Sequence, residues 1–461
     1  MNVFRKLKPF IAIFALLTLI GAGCGGPSTA EKLARTPAKL KIWRVFDDST
    51  TMYNIMQAYR SIHPNVSIDY RELRYDEYED ELIRAFAEGN GPDIFSINNT
   101  WIGEYKSLIK PMPPSVTIPY SEVRGTIKKE VVYTLKEQPT MSIKKLKSEY
   151  VDVVIDDVVR KYQPNSKAEP TDKIFALPLA LDTLAMYYNK DLLNAAGIPE
   201  PPGTWQQFQN QVTKLTKIGP DDVVLQAGAA MGTSKNVERA ADLISVLMMQ
   251  NGTQMTNNRG HATFASRSSE DQEELTYDAV NFYSDFANPS KQVYTWNEKQ
   301  PSSFDAFVAG KVAFFFGYSY HADLIRNSSP KLKFSIAPLP QIDGGKTVNY
   351  ANYWVETVAK STKYSDWAWD FLLFATKQDK VTSYLEKAKK PTAQRALINS
   401  QIDNEDLSAF VSQVLTAKSW YKGKDAQVME EAFQSLIDEL LAGEEVEKTV
   451  GIAQNKINQT F

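Results

Sequence analysis

A chain of 461 residues with 43% hydrophobic content can bury more than one core, so its length favours two or more domains. Its 52 basic and 55 acidic residues leave a formal charge of −3, which excludes the basic excess of a nucleic-acid binder. A single cysteine excludes an internal disulfide, and 22 Tyr, 22 Phe and 8 Trp supply rings for cores and for stacking on flat ligand faces.

The chain opens with basic Arg5, Lys6 and Lys8, an apolar run from Phe10 to Ile20, and then Gly21-Ala22-Gly23-Cys24. Basic, apolar and small residues in that order describe an export signal, and the run is shorter than the ~20 residues that a membrane span needs. Small residues before the lone Cys resemble a bacterial lipoprotein signal, with Cys24 lipidated as the mature first residue; Gly21 stands where such signals usually carry Leu. Residues 1–23 are thus expected to be the signal and 24–39 a polar tether. No later stretch is long and apolar enough to span a bilayer, so the remainder is expected outside the cytoplasm, anchored to the cell membrane.

Leu40 to Val45 alternates and predicts a strand. Asp48 and Ser49 are N-cap types, and Ile55, Met56, Tyr59 and Ile62 fall at helical spacing until Pro64. Val66 to Tyr70 alternates again. Asp76 opens a helix with Tyr78, Leu82, Ala85 and Phe86 inward and Gly89 closing it, and Ile94 to Ile97 makes a third strand. This rhythm implies parallel strands with right-handed crossovers, whose ligands bind beyond the carboxyl ends where strand order reverses. Those ends carry Phe46-Asp47-Asp48 and Asn98-Asn99-Thr100-Trp101. Asp48 reads as a cap. Phe46, Asp47, Asn98, Asn99 and Trp101 are candidate ligand groups, against a plainer reading as loop and packing residues.

Pro111 to Asp172 holds Lys128, Lys129, Lys144, Lys145 and Lys147 and a helix-periodic run of Ile143, Leu146, Tyr150, Val154, Val158 and Tyr162. It predicts an extra helical cap with a solvated Lys face. Leu177 to Met186 reads as an apolar strand interrupted by Asp182, whose carboxylate must find donors from a ligand, a buried Arg or a backbone amide. Asp191 reads as the cap of a short helix ended by Gly197. Thr204 and Gln207 form a capping box that launches a helix from Trp205 to about Ile218, which makes Trp205 structural. The apolar 312–316 run is a buried strand with Tyr318 and Tyr320 at its carboxyl end.

Several of these segments resemble the family 1 extracellular solute-binding proteins, the maltose-binding-protein-like group. They are Lys41-Ile42-Trp43, the glycine–Pro92-Asp93 element, Tyr188-Asn189-Lys190-Asp191, Ala196-Gly197-Ile198-Pro199, Thr204-Trp205, and Phe307 through Gly310-Lys311 to Ala313. The resemblance runs from residue 40 to 461. It implies an α/β fold of the periplasmic-binding-protein-like type II, two lobes with discontinuous sheets joined by interlobe crossovers. The lobes are expected at 40–180 with 341–385 (insertion 111–172) and at 181–340 with 386–461. The resemblance also makes Asp182 an acceptor for sugar hydroxyls at the first crossover and Ile336 to Pro340 the second crossover. It makes Tyr320 a stacking ring and puts Trp354, Arg395 and Trp420 among later cleft residues. It implies a monomer that captures a small solute by lobe closure and hands it to an integral-membrane ABC permease. A mono- or oligosaccharide is favoured; a peptide, polyol or glycerol-phosphate derivative is the alternative.

A secreted carbohydrate-active enzyme is the rival class. Glycosidases need two carboxylates flanking one bond, about 5–9 Å apart. The adjacent pairs Asp47-Asp48, Asp156-Asp157 and Asp221-Asp222 read instead as caps and turns. His63, His261 and His321 lie far apart without zinc-ligand spacing, and no nucleophile elbow, Walker loop or dinucleotide fingerprint occurs. The expectation is a binding protein with no catalytic residues, cofactor or metal.

Overall fold

Alternating β-branched residues form the strands Ala38–Val45, Val66–Leu73 and Ile94–Asn98, which pair in parallel with Ala38–Val45 in the middle. The computed structural model describes residues 27–126, 128–220, 223–265 and 270–461. Trp354–Val358 adds antiparallel beside Ile94–Asn98, and Ala176–Leu177 completes a five-stranded sheet. Asp93 ties this sheet together: its carboxylate accepts from the Lys41 N–H at 2.8 Å and from the Thr362 hydroxyl. That is the local work of the Pro92-Asp93 element.

A second five-stranded sheet runs Lys217–Ile218, Val224–Ala229, Val312–Gly317, Ala185–Asn189, Phe334–Ala337. Each sheet carries its own core. Leu40, Ile94, Phe95, Tyr59, Leu82, Val355 and Trp369 pack in the first. Tyr187, Phe208, Ile244, Phe314, Phe315 and Phe433 pack in the second. The fold is therefore the two-lobed α/β architecture with discontinuous sheets.

The lobe boundaries differ from the expected ones. Tyr350 packs in the second core while Ala351 and Tyr353 pack in the first, so the return passage comes at 350–353 and not at Ile336 to Pro340. Leu339 is buried in the second core. Leu385, Ala393 and Leu397 belong to the first core, which carries that lobe past residue 385. The two passages pair with each other: Thr183 bridges Ala351, the Leu184 N–H donates to the Tyr350 carbonyl, and the Asn352 N–H donates to the Asp182 carbonyl. Asp182 thus lies in a crossover between Ala176–Leu177 and Ala185–Asn189, not inside a continuous strand.

Local expectations fare unevenly. The Asp48 carboxylate caps Ser49–Ile62 by accepting from the Thr51 N–H, and Thr204 with Gln207 makes a complete capping box. The helix so launched ends at Leu215, short of Ile218, because Lys217–Ile218 turns back to pair with Val224–Ala229. Asn189, not Asp191, caps Lys190–Ala195, accepting from the Asp191 and Leu192 N–H groups.

The 111–172 insertion is not a single helical cap. It is a hairpin of two ten-residue strands, Ser115–Arg124 and Glu130–Pro139, followed by the helices Ile143–Glu149 and Asp152–Val158. Tyr150 is extended and breaks the periodic run, its N–H closing the first helix onto Leu146. Part of the expected tether is also ordered. Ser28 caps a helix Thr29–Arg35, Ala30 is buried, and the Asn65 amide donates to the carbonyls of Leu33 and Thr36. The signal and Cys24 lie outside the described residues.

Candidate functional site

The carboxyl ends of Ala38–Val45 and Ile94–Asn98 and the start of Trp354–Val358 meet at one edge of the first lobe. Phe46 leaves its strand in the left-handed conformation, φ 70°, a strained choice for a residue with a Cβ. That turn projects its ring out of the sheet, and it stays 59% exposed. The ring stacks near-parallel on Tyr75 at 5.8 Å and meets Trp354 edge-on at 5.8 Å. Trp354, opposite Asn98 in the sheet, also packs against Tyr78 and Trp101.

Across the cleft, Tyr320 of the second lobe lies parallel to Phe46 at 6.4 Å and is 50% exposed. Its other neighbour, His321, stacks on it at 4.1 Å. His321 is itself fixed: Nδ1 accepts from the Tyr318 N–H at 2.9 Å, and Nε2 lies 3.0 Å from Glu238. Two half-exposed rings from different lobes therefore face the same space, each braced from behind.

Beside the rings lies a charged network on the second lobe. Arg239 starts Ala240–Gln250, again with positive φ (59°), and forks onto Asp242 at 2.7 and 2.9 Å while reaching Glu430 at 3.1 Å. Burial opposes the guanidinium charge, but Asp242 and Glu430 outweigh it and hold Arg239 protonated. The Tyr318 hydroxyl donates to Asp242 at 2.6 Å. Asn352 receives the Asn98 amide at 2.8 Å and turns its own amide toward Asp242 at 3.5 Å, so a polar line spans the passage between lobes.

Asp182 sits half-buried at the same passage. The Ser319 N–H (3.0 Å) and hydroxyl (2.6 Å) donate to Oδ2 and the Thr183 N–H (2.9 Å) donates to Oδ1. Burial pushes its carboxyl up to about 6, against the lowering effect of the Ser319 bonds. The donors demanded by its sequence setting are thus supplied by the protein itself.

Comparison with known proteins now decides the family. The family model described as "Bacterial extracellular solute-binding protein" matches residues 127–381. The chain belongs to that family. A putative binding protein of Brucella abortus (strain 2308) is 19% identical over 88% of this chain and 86% of its own length. The galactooligosaccharide-binding protein of Bacillus subtilis (strain 168) is 22% identical over 48% of this chain and 43% of its own. The sugar-binding protein MalE from Xanthomonas citri shares the fold, with TM-score 0.68 at 16% identity over 92% of this chain and 97% of that one.

The structure sorts the expected residues by whether they reach the cleft edge. It brings Phe46, Trp101, Tyr320, Trp354 and Asn98 together there, with Asp182 beside them. Five others point elsewhere. Asp47 is 4% exposed, and its carboxylate takes the Tyr384 hydroxyl (2.9 Å), Lys390 (2.8 Å) and Arg44 (2.9 Å). Burial raises its pKa but Arg44 and Lys390 prevail, so it stays ionised. Asn99 is buried, donating to Asp157 and accepting from the Tyr353 N–H. Tyr318 is a buried ring that backs Tyr320 at 6.5 Å, its hydroxyl spent on Asp242, so it supports the cleft edge without facing it. Trp420 packs on Phe264 and Phe433 in the second core, its N–H donating to Ser245. Arg395 holds the insertion, donating to the Tyr150 carbonyl (2.8 Å) and to Asp152 (2.6 Å).

Tyr75, Arg239, Asp242, Asn352 and Glu430 were not anticipated. The Arg239/Asp242 spacing of three at a helix start is the one local signal among them; the rest depend on two lobes meeting. Of the adjacent carboxylates expected to be caps and turns, Asp48 is a cap, whereas Asp47 and Asp157 are buried core groups and Asp156 is exposed within Asp152–Val158. Asp157 has Asn99, Tyr353 and Ser419 as donors. Asp221-Asp222 lies outside the described residues.

Proposed function

We propose that the chain captures a mono- or oligosaccharide in the cleft between its lobes, by lobe closure, and delivers it to an ABC permease from a lipid anchor at Cys24. The observation that carries this reading is the pair of exposed, braced rings, Phe46 and Tyr320, facing each other from different lobes beside the Arg239–Asp242–Glu430 network. Sugar rings offer flat C–H faces to aromatic planes and hydroxyls to charged acceptors and donors. Trp354 supplies a third surface and Asn98 and Asn352 supply amides. The galactooligosaccharide-binding relative supports the same ligand class. Micromolar affinity, about −8 kcal/mol, suits capture followed by release.

The test is a thermal-shift screen over mono- and oligosaccharides, polyols and amino acids, followed by calorimetry with any hit. A sugar that raises the melting temperature and loses at least tenfold in affinity on Trp354→Ala supports the reading. A screen in which only amino acids or phosphorylated polyols shift the protein would replace the ligand class.

A further inference from the structure

The hairpin of the insertion turns only one of its faces toward the fold. Val116 and Ile118 on that face are buried in the first core. The cross-strand register puts Val123 opposite Val131, Ser121 opposite Tyr133 and Pro119 opposite Leu135 on the other face. There Val123 is 67%, Val131 57% and Leu135 40% exposed, and Tyr133 is half-buried. Apolar side chains grouped in water at the outer end of a two-stranded hairpin are surface suited to a partner.

The charge of this region runs against that of the chain. Residues 24–461 carry 49 basic and 55 acidic side chains, yet residues 115–149 carry seven basic and four acidic. The helix Thr29–Arg35 adds Lys32 and Arg35 against Glu31. Beside Val123 and Val131, the turn holds Arg124, Lys128 and Lys129. Arg124 pairs with Glu122 at 3.2 Å and Lys128 with Glu130 at 3.5 Å, but these pairs lie in water, which leaves them weak and exchangeable. Cations flanking exposed valines complement an anionic lipid surface, which attracts basic side chains and accepts shallow apolar ones.

The route of the chain brings such a surface close. Helix Thr29–Arg35 packs against both strands of the hairpin, and the Asn65 amide fixes its carboxyl end through the Leu33 and Thr36 carbonyls. Thr29 follows Cys24 by five residues, a reach of about 18 Å at full extension. A lipid on Cys24 therefore brings this helix, and the hairpin on which it lies, within that reach of the bilayer. We propose that the outer face and turn of the hairpin dock on the anionic surface of the membrane that holds the anchor. Val123 and Val131 enter the headgroup layer, and Arg124, Lys128 and Lys129 pair with lipid phosphates. This rests on the reading of Cys24 as the lipid anchor.

Vesicle sedimentation of the full mature chain carrying Cys24→Ser separates the hairpin from the anchor, because that chain bears no lipid. The vesicles are phosphatidylglycerol with phosphatidylcholine in equal parts, and phosphatidylcholine alone. The expected result is partitioning onto the anionic vesicles that exceeds partitioning onto the neutral ones. It falls about tenfold in Lys128→Glu/Lys129→Glu and about tenfold in Val123→Asp/Val131→Asp. All four side chains are exposed, so both double variants should melt with the parent chain. Partitioning that ignores phosphatidylglycerol, or that survives both double variants, overturns the docking and leaves the face to a protein partner. Mass spectrometry of the native chain extracted from membranes tests the anchor by itself. An unmodified Cys24 overturns the anchor reading and the docking together, whereas a lipidated Cys24 without vesicle partitioning overturns the docking alone.

Discussion

Each lobe places an arginine–carboxylate cluster near the edge where its sheet meets the other lobe, and the two clusters do opposite jobs. In the first lobe Arg44 bridges Asp47 and Glu356 at 2.9 Å each, Ser96 and Tyr384 add bonds, and Lys390 closes the group on Asp47. Arg44, Asp47 and Glu356 are all under 5% exposed. In the second lobe Arg239 and Glu430 keep side chains partly open to solvent, and only Asp242 is sealed. A charged group at a strand end therefore does not by itself identify a site. What distinguishes the two is whether the cluster's hydrogen-bonding capacity is used up inside its own lobe.

That contrast is breakable, most forcefully on the first lobe. Asp47→Ala strips a buried arginine and lysine of a partner, and such losses cost about 3–5 kcal/mol. Chemical denaturation should show a drop of that size while calorimetry shows solute affinity within threefold of wild type. A large affinity loss with little loss of stability would reverse the assignment and return Asp47 to the cleft.

The next largest effect concerns pH at the passage between lobes. Asp182 has its folded pKa raised to about 6 by burial. The folded state then binds a proton more tightly than the unfolded chain, so this group's contribution falls as pH rises from about 4 through 6. Relative to Asp182→Asn, wild type should gain up to roughly 3 kcal/mol as pH drops from 7 to 4. His63 runs the other way: with its folded pKa held at about 4 by burial, stability is lost as pH falls from 6.5 toward 4. Denaturation series on Asp182→Asn and His63→Phe separate the two, and parallel curves for wild type and both variants would refute both shifts.

At the cleft edge of the first lobe, outside its sealed cluster, Trp354→Ala should weaken solute binding by tenfold or more, about 1.4 kcal/mol, because it removes the ring against which Phe46, Tyr75 and Trp101 pack. The smallest effect isolates backbone strain. Phe46→Gly should be more stable than Phe46→Ala by about 1 kcal/mol, since only glycine accepts φ 70° without penalty. Equal melting temperatures for the two would show that the left-handed turn is not held in solution.

The strand-helix-strand opening, the parallel pairing and the place where strand order reverses were all legible from residues 40–101, because periods of 2 and 3.6 are local properties. Caps were legible for the same reason, at Asp48 and Thr204. The insertion misled because a helical period over Ile143 to Tyr162 says nothing of the extended break at Tyr150, and its hairpin required two alternating runs to be read as partners.

Among the site residues, sequence position found the strand ends but could not say which side chain at each end faces outward. Phe46 and Asp47 are neighbours, yet one ring is thrown into the cleft and one carboxylate is sealed by residues more than 300 positions away. Asn98 and Asn99 divide in the same manner. Thus the sequence by itself determined the fold class, the local elements and the address of the cleft edge, since these follow from hydrophobic period and turn chemistry. Only the tertiary structure decided which polar groups remain available there, because that depends on partners brought from Tyr384, Lys390, Asp157 and Tyr353, and on a second lobe that sets Tyr320 and Arg239 opposite the first.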